Sequence, residues 1–261
     1  MNLFFTYLPI FLLVFVRMSA FFVAAPFFSI KGVPNQFKIA LAFLMAVISF
    51  QFIPVQGQQV AMDLTFLLHV CKEALVGVIL GYICEMMFVA IQVAGGLMDM
   101  QMGLAMANVI DPKTGAYIPI TGNFKNILAV LYFFSINGHH MLIRGIIKSY
   151  EAIPIEATWA AFGSEQVMMT AVKVFSNMFL SAFMMAAPIV VALFLVDVSL
   201  GIIAKSVPQF NIFVVGLPLK LLAGFLLLIV VMPAFLLTLN GLFESMFRAL
   251  AEMMKLLGGT P

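Results

Sequence analysis

The apolar runs in this sequence come in lengths that do not match one bilayer, and this limits the folds open to the chain more than any motif does. Residues 3–28 form a first run with Arg17 in its middle. Residues 39–53 make a run of about 15, short of the ~20 that a helix needs to cross the hydrocarbon. Residues 64–94 are too long for one plain span and carry His69, Lys72, Glu73 and Glu85, which a lipid-facing helix would not hold. Residues 124–136 are short again; residues 167–196 are long with Pro188 inside, and residues 212–239 are long with Pro218, Lys220 and Pro233 inside. Residues 240–257 close the chain as a charged, amphipathic tail. Simple serpentine threading fits this pattern poorly. Discontinuous or re-entrant helices packed against other protein fit it better, so the expected fold is an all-α membrane protein of stacked helical hairpins with broken or re-entrant helices.

Composition supports membrane or assembly burial. Of 261 residues 64% are apolar and 9% charged, against about 25% charged in soluble domains. The net charge of +2 is spread thinly, with no basic stripe to follow a phosphate backbone, so nucleic-acid binding is unsupported. Residues 1–15 lack a basic start and run apolar from Leu3, which reads as a first embedded helix rather than a secretory signal. Lys and Arg do not alternate clearly between loops, with Lys113 and Lys125 counted among the loop lysines, and orientation stays open. No polar linker divides the chain, and it reads as a single domain over residues 1–261.

Motifs of enzyme chemistry are absent: GxxxxGK[ST], GxGxxG after a strand, GxSxG and HExxH do not occur. No catalytic residue, cofactor or metal is expected. His139 and His140 are adjacent, diverge by about 100° on a helix, and favour a helix-start or packing role. Cys71 and Cys84, thirteen residues apart in one run, point away from each other and read as small core residues.

The remaining polar residues are candidates for packing or assembly. Glu73, Gly77, Gly81 and Glu85 form one i, i+4 row: a smooth groove for a neighbouring helix with a carboxylate at each end. Donors of a partner or a polar lumen would satisfy the acids; local pairing of Glu73 with Lys72 is the plainer alternative. Arg17 should find a carboxylate, a carbonyl row or water inside the protein. Asp197, Lys205 and Lys220 read as interfacial anchors.

Residues 95–119, GGLMDMQMGLAMANVIDPKTGAYIP, are too polar and glycine-rich for an ordinary membrane helix and too apolar for an ordinary loop. A buried irregular segment reconciles the two, with Asp111–Pro112 opening a type I turn. From the residues alone, Met98, Met102 and Met106 also read as a packing stripe at i, i+4 spacing.

That stretch resembles the FliR family of flagellar and injectisome export gates in its G…DxQxG…DP pattern. The resemblance continues in AAPFFSIKGVPNQFKIAL (24–41), NGHHMLIRGIIKSYEAIP (137–154) and LGIIAKSVPQFNIFVVGLPLK (200–220), in the family's order over nearly the whole chain. It implies a structural pore subunit that joins FliP-type and FliQ-type subunits in a helical, roughly conical complex, beside FlhB-type and FlhA-type proteins and the export ATPase. Unfolded flagellar proteins would be the cargo. It further implies a FliP-like part over about residues 1–185, including a plug loop at 103–119, fused to a FliQ-like hairpin and tail over about 186–261. Gly103, Met106, Val109, Ile110, Asp111 and Pro112 would line the plug, while Arg17, Glu73, Gly77, Gly81, Glu85 and Asp99 would serve helix packing or assembly. Many family members carry aromatic residues where this chain has Met106 and Val109, so an aromatic seal is not implied here.

Two alternatives stand beside it: a small-solute secondary transporter, which would use broken helices and intramembrane charges such as Arg17, Glu73 and Glu85, and the equivalent subunit of a virulence injectisome. The bacterial inner membrane, at the flagellar basal body, is the expected location.

Overall fold

The computed structural model describes residues 2–26, 34–53, 63–106, 119–157, 160–207 and 211–259. Among them every regular element is helical: α1 (Asn2–Ala24), α2 (Asn35–Phe50), α3 (Leu64–Met102), α4 (Ile120–Ser135), α5 (Gly138–Ala152), α6 (Glu165–Ser206) and α7 (Ile212–Leu257), with a 3-10 turn at Leu104–Met106. Four helices, α1, α3, α6 and α7, contain a window long and apolar enough to cross a membrane. A fifth span results if α4 and α5, bent by 71° at the break between them, count as one.

The breaks are fewer than the sequence implies. α3 is one helix of 39 residues that runs through Gly95 and Gly96, so the first part of the stretch read as irregular is helical. α6 runs for 42 residues through Pro188, and α7 for 46 through Pro218 and Pro233, with residues 240–257 as its continuation rather than a separate tail. A proline removes one helical N–H and frees one carbonyl, a local cost that surrounding packing can absorb in apolar helices. The chain does break at left-handed residues. Asn137, with φ 57°, separates α4 from α5, and Asn tolerates that region better than other side chains. Gly103, with φ +82°, ends α3, where a Cβ would also strike Leu217 Cδ1 at 2.7 Å.

The chain divides into two compact units, and α3, α6 and α7 run through both. Unit 1 comprises Met1–Met86, Phe134–Phe175 and Glu244–Pro261. Within it α1 beds into the glycine groove of α3: a Cβ on Gly77 would lie 2.8 Å from Ala20 Cβ and would meet the Arg17 carbonyl, and one on Gly81 would lie 2.7 Å from Ala24 Cβ. Edge-to-face rings join α1 to α2, Phe11 to Phe43 at 5.7 Å and to Phe50 at 5.8 Å between centroids.

Unit 2 comprises Met87–Phe133 and Ser176–Phe243. Phe88 of α3, Phe133 of α4 and Phe243 of α7 meet at 4.9–5.8 Å between ring centroids. α3 and α4 come into backbone contact at Gly95 and Gly122, and Gly224 of α7 leaves room for Met102, whose Cε would lie 2.6 Å from a Cβ there. Met98 and Met102 are fully buried on α3, the packing role that i, i+4 spacing describes.

Candidate functional site

Three helices of unit 1 bring charge to one buried point. On α1 the buried stripe reads Ile10, Leu13, Val14, Arg17, Phe21; on α3 it includes Lys72, Glu73, Val76 and Leu80; on α5 it reads Leu142, Ile146, Ser149, Tyr150. Each spacing is the 3–4 residue step of a core-facing helix, so periodicity itself carries Arg17, Lys72 and Glu73 inside. All three have fully buried side chains.

There they satisfy one another. Arg17 Nε pairs with Glu73 Oε2, and Arg17 Nη2 donates to Glu73 Oε1 at 3.0 Å. The other guanidinium protons go to the end of α5: to Ser149 O at 2.9 Å, Ser149 Oγ at 3.1 Å and Ile153 O at 2.8 Å. Tyr150 stacks its ring 4.2 Å from the guanidinium carbon and donates its hydroxyl to Val14 O at 3.0 Å. Lys72 Nζ meets Glu73 Oε1 at 2.9 Å and three carbonyls beyond α5, Pro154, Ile155 and Ala157, at 2.8–3.0 Å. Two cations share one carboxylate, and the carbonyl-rich end of α5 supplies the remaining partial negative charge.

Unit 2 has two smaller ties. Asp99 of α3 accepts from the Thr121 hydroxyl at 2.6 Å and from the Thr121 N–H at 3.2 Å, in the first turn of α4, where a carboxylate also meets the positive end of the helix dipole. The Thr121 hydroxyl also lies 2.9 Å from Gly95 O. Asp197 of α6 pairs with Lys220 of α7 at 2.9 Å and accepts from Gln101 of α3 at 2.9 Å. These two residues pair with each other, partly exposed, between α6 and α7; Lys205 lies exposed in the last turn of α6.

Of the other residues singled out in the sequence, Glu85 is half-buried on α3 with no hydrogen-bond or ion-pair partner among the described residues. His139 and His140 occupy the first turn of α5, their rings 4.1 Å apart. Among the described residues no cluster of three His, Cys, Asp or Glu side chains could hold a metal. Cys84 is buried but Cys71 is exposed, contrary to its reading as a core residue, because it falls off the buried stripe of α3. Gly103 and the turn to Met106 follow α3 directly. Val109, Ile110, Asp111 and Pro112 lie outside the described residues.

Several structural residues were not legible beforehand. Lys125, counted as a loop lysine, is inside α4 and almost wholly buried, with its ammonium 3.1 Å from Met98 Sδ and 4.8 Å from the Phe235 ring centre. Thr121, Ser149 and Tyr150 gave no signal except their place on helical stripes.

Fold and ties together define a polytopic helical membrane protein in which buried Arg17, Lys72, Glu73 and Asp99 hold helices to one another. The family described as "Bacterial export proteins, family 1" matches residues 8–246. The flagellar biosynthetic protein FliR of Bacillus subtilis (strain 168) is 44% identical over 250 residues, 96% of each chain. FliR of Escherichia coli (strain K12) is 29% identical over 237 residues, 91% of this chain and 89% of that one. The Yop proteins translocation protein T of Yersinia pestis is 31% identical over 166 residues, 64% and 63% of the two chains. The chain belongs to the FliR family of bacterial export proteins. It is a flagellar type III export component of the inner membrane, and not an enzyme.

Proposed function

We propose that the chain is a structural subunit of the wall of the flagellar export pore, conducting unfolded flagellar proteins in company with FliP-type and FliQ-type subunits and beside FlhB-type and FlhA-type proteins. One observation carries this. α6 is a single helix of 42 residues, about 63 Å long at 1.5 Å per residue. Met168, Val172, Phe183, Val191, Phe194 and Ile202 along it are each more than half exposed. Exposed Lys173 interrupts the stripe, and its apolar part from Phe175 to Ile202 covers about 40 Å, whereas the hydrocarbon of a bilayer covers about 30 Å. Lipid cannot cover the remainder, and other protein must.

The division into a FliP-like part, about 1–185, and a FliQ-like hairpin and tail, about 186–261, belongs to the same proposal; its boundary falls inside α6, beside Pro188. So does the plug, in which Met106, Val109 and Ile110 would form a dry constriction next to Asp111–Pro112. Resemblance supports both. The family name, together with the saturation of Arg17 and Glu73 by partners inside the chain, weighs against a small-solute carrier.

Expression with and without the two partner subunits, followed by sizing in mild detergent, tests the assembly. The expected result is a monodisperse species only on co-expression; a folded, monodisperse chain obtained alone would sink the proposal. For the plug, ion permeability of cells carrying Met106→Gly with Val109→Gly should rise while the complex still forms, and an assembled complex without added leak would remove it.

A further inference from the structure

We infer that the carbonyl cradle around Lys72 is a monovalent-cation site that the chain fills with its own ammonium group, and that this tethered cation sets the path of the backbone from Pro154 to Ala157. The ammonium has four oxygen neighbours at nearly equal range: Glu73 Oε1 at 2.9 Å, Pro154 O at 2.9 Å, Ile155 O at 3.0 Å and Ala157 O at 2.8 Å. It carries only three protons. The three carbonyls take one proton each and Glu73 Oε1 adds the anionic contact, so both the protons and the charge of the ammonium are met by oxygen, as the charge of a bound monovalent ion would be.

The three carbonyls belong to residues within a four-residue stretch that is neither helix nor strand. In regular structure such neighbouring carbonyls point along one axis or to opposite sides. Here they converge, and converging carbonyl dipoles repel each other unless a positive centre lies between them. The backbone from Pro154 to Ala157 is thus wrapped around the cation, just beyond α5.

Potassium has nearly the radius of an ammonium ion and the same preference for carbonyl and carboxylate oxygen. Removal of the Lys72 side chain should leave a site that takes it. Pro154 is exposed and Ala157 half-buried, so the outer wall of the cradle lies near the surface although Lys72 itself is fully buried.

Chemical rescue tests this. Lys72→Ala removes three carbons and the nitrogen, the heavy atoms of propylammonium; 1-propanol has the same number of heavy atoms and no charge. Membranes containing the full chain would be solubilised in mild detergent with sodium, potassium, propylammonium or 1-propanol, heated, and assayed for protein remaining soluble. Lys72→Ala should lose at least tenfold of its heat-resistant fraction in sodium, regain most of it in propylammonium and part in potassium, and regain none in 1-propanol. The wild type should be indifferent to the additive. Lys72→Met keeps the stem and lacks the ammonium, and it should fail in sodium as Lys72→Ala does. Recovery that is equal in all four conditions, recovery in none, or wild-type behaviour of Lys72→Met would each overturn the inference.

Discussion

Glu73→Gln is the substitution that most directly tests how unit 1 is held together. The side chain keeps its size, but the carboxylate that Arg17 and Lys72 share becomes neutral, and two fully buried cations are left facing each other. Removing one partner of a buried ion pair costs about 3–5 kcal/mol. Glu73 neutralises two cations, which places it at the upper end. Native stabilities are about 5–15 kcal/mol, so the loss is a third or more of the whole, and even 3 kcal/mol lowers the folded ratio by more than a hundredfold. The matched control is Glu85→Gln on the same helix, half-buried and without a partner among the described residues, where a change within about 0.5 kcal/mol is expected. Heat-resistant fraction in detergent and swimming of cells carrying each variant would be compared. Charge exchange, Arg17→Glu with Glu73→Arg, should not rescue, because it would put a carboxylate against the Ser149 and Ile153 carbonyls that Arg17 now satisfies. Equal behaviour of Glu73→Gln and Glu85→Gln, or recovery on charge exchange, would refute the reasoning.

Gly81→Ala should impair assembly, since its Cβ would lie 2.7 Å from Ala24 Cβ and 2.8 Å from Phe21 O, an overpacking worth about 1–3 kcal/mol. Gly241→Ala, in open space on α7, should be neutral or stabilising by up to about 1 kcal/mol; yield of folded protein in membranes separates the two. Asp99→Leu should strand the Thr121 donors at a cost of about 1–3 kcal/mol, and Asp99→Asn, which keeps an acceptor, should cost less; thermal midpoints in detergent would show the order. Lys125→Met should keep or raise that midpoint, because it removes a buried ammonium whose partners among the described residues are a thioether and an aromatic face.

Membrane residence and the all-helical class were legible because they follow from sums over many residues, to which single exceptions matter little. Helix ends were less legible for the same reason. Gly95, Gly96, Pro188, Pro218 and Pro233 each weaken a helix locally, and a reading that adds local penalties puts breaks at them. In the folded chain Gly95 lies where α3 meets α4 at Gly122, and there the packing decides, whereas Pro188, Pro218 and Pro233 are exposed and cost their helices only a local hydrogen bond. Two of the helix ends, at Asn137 and Gly103, are positions of positive φ. Asn and Gly permit that conformation without requiring it, so the residue type alone could not distinguish Gly103 from Gly95.

The buried charges show where single-sequence reasoning stops. Arg17 could be assigned an interior partner from its isolation in an apolar run, yet nothing at residue 17 points to residues 73, 149 and 153, which are brought to it by the packing of three separate helices. Lys72 and Lys125 illustrate the same limit with opposite physics. Both are lysines in apolar helices and both are buried, but one sits among four oxygens and the other beside sulfur and an aromatic face. The energetic sign of replacing them by methionine should therefore differ: loss of stability at residue 72, where carbonyls converge on the charge, and none at residue 125, where the charge has no counter-anion among the described residues. Residue type and hydropathy are identical in the two cases, so a difference measured between Lys72→Met and Lys125→Met in one heat-challenge assay would come from the oxygen cradle, and its absence would mean that the cradle contributes nothing to the fold.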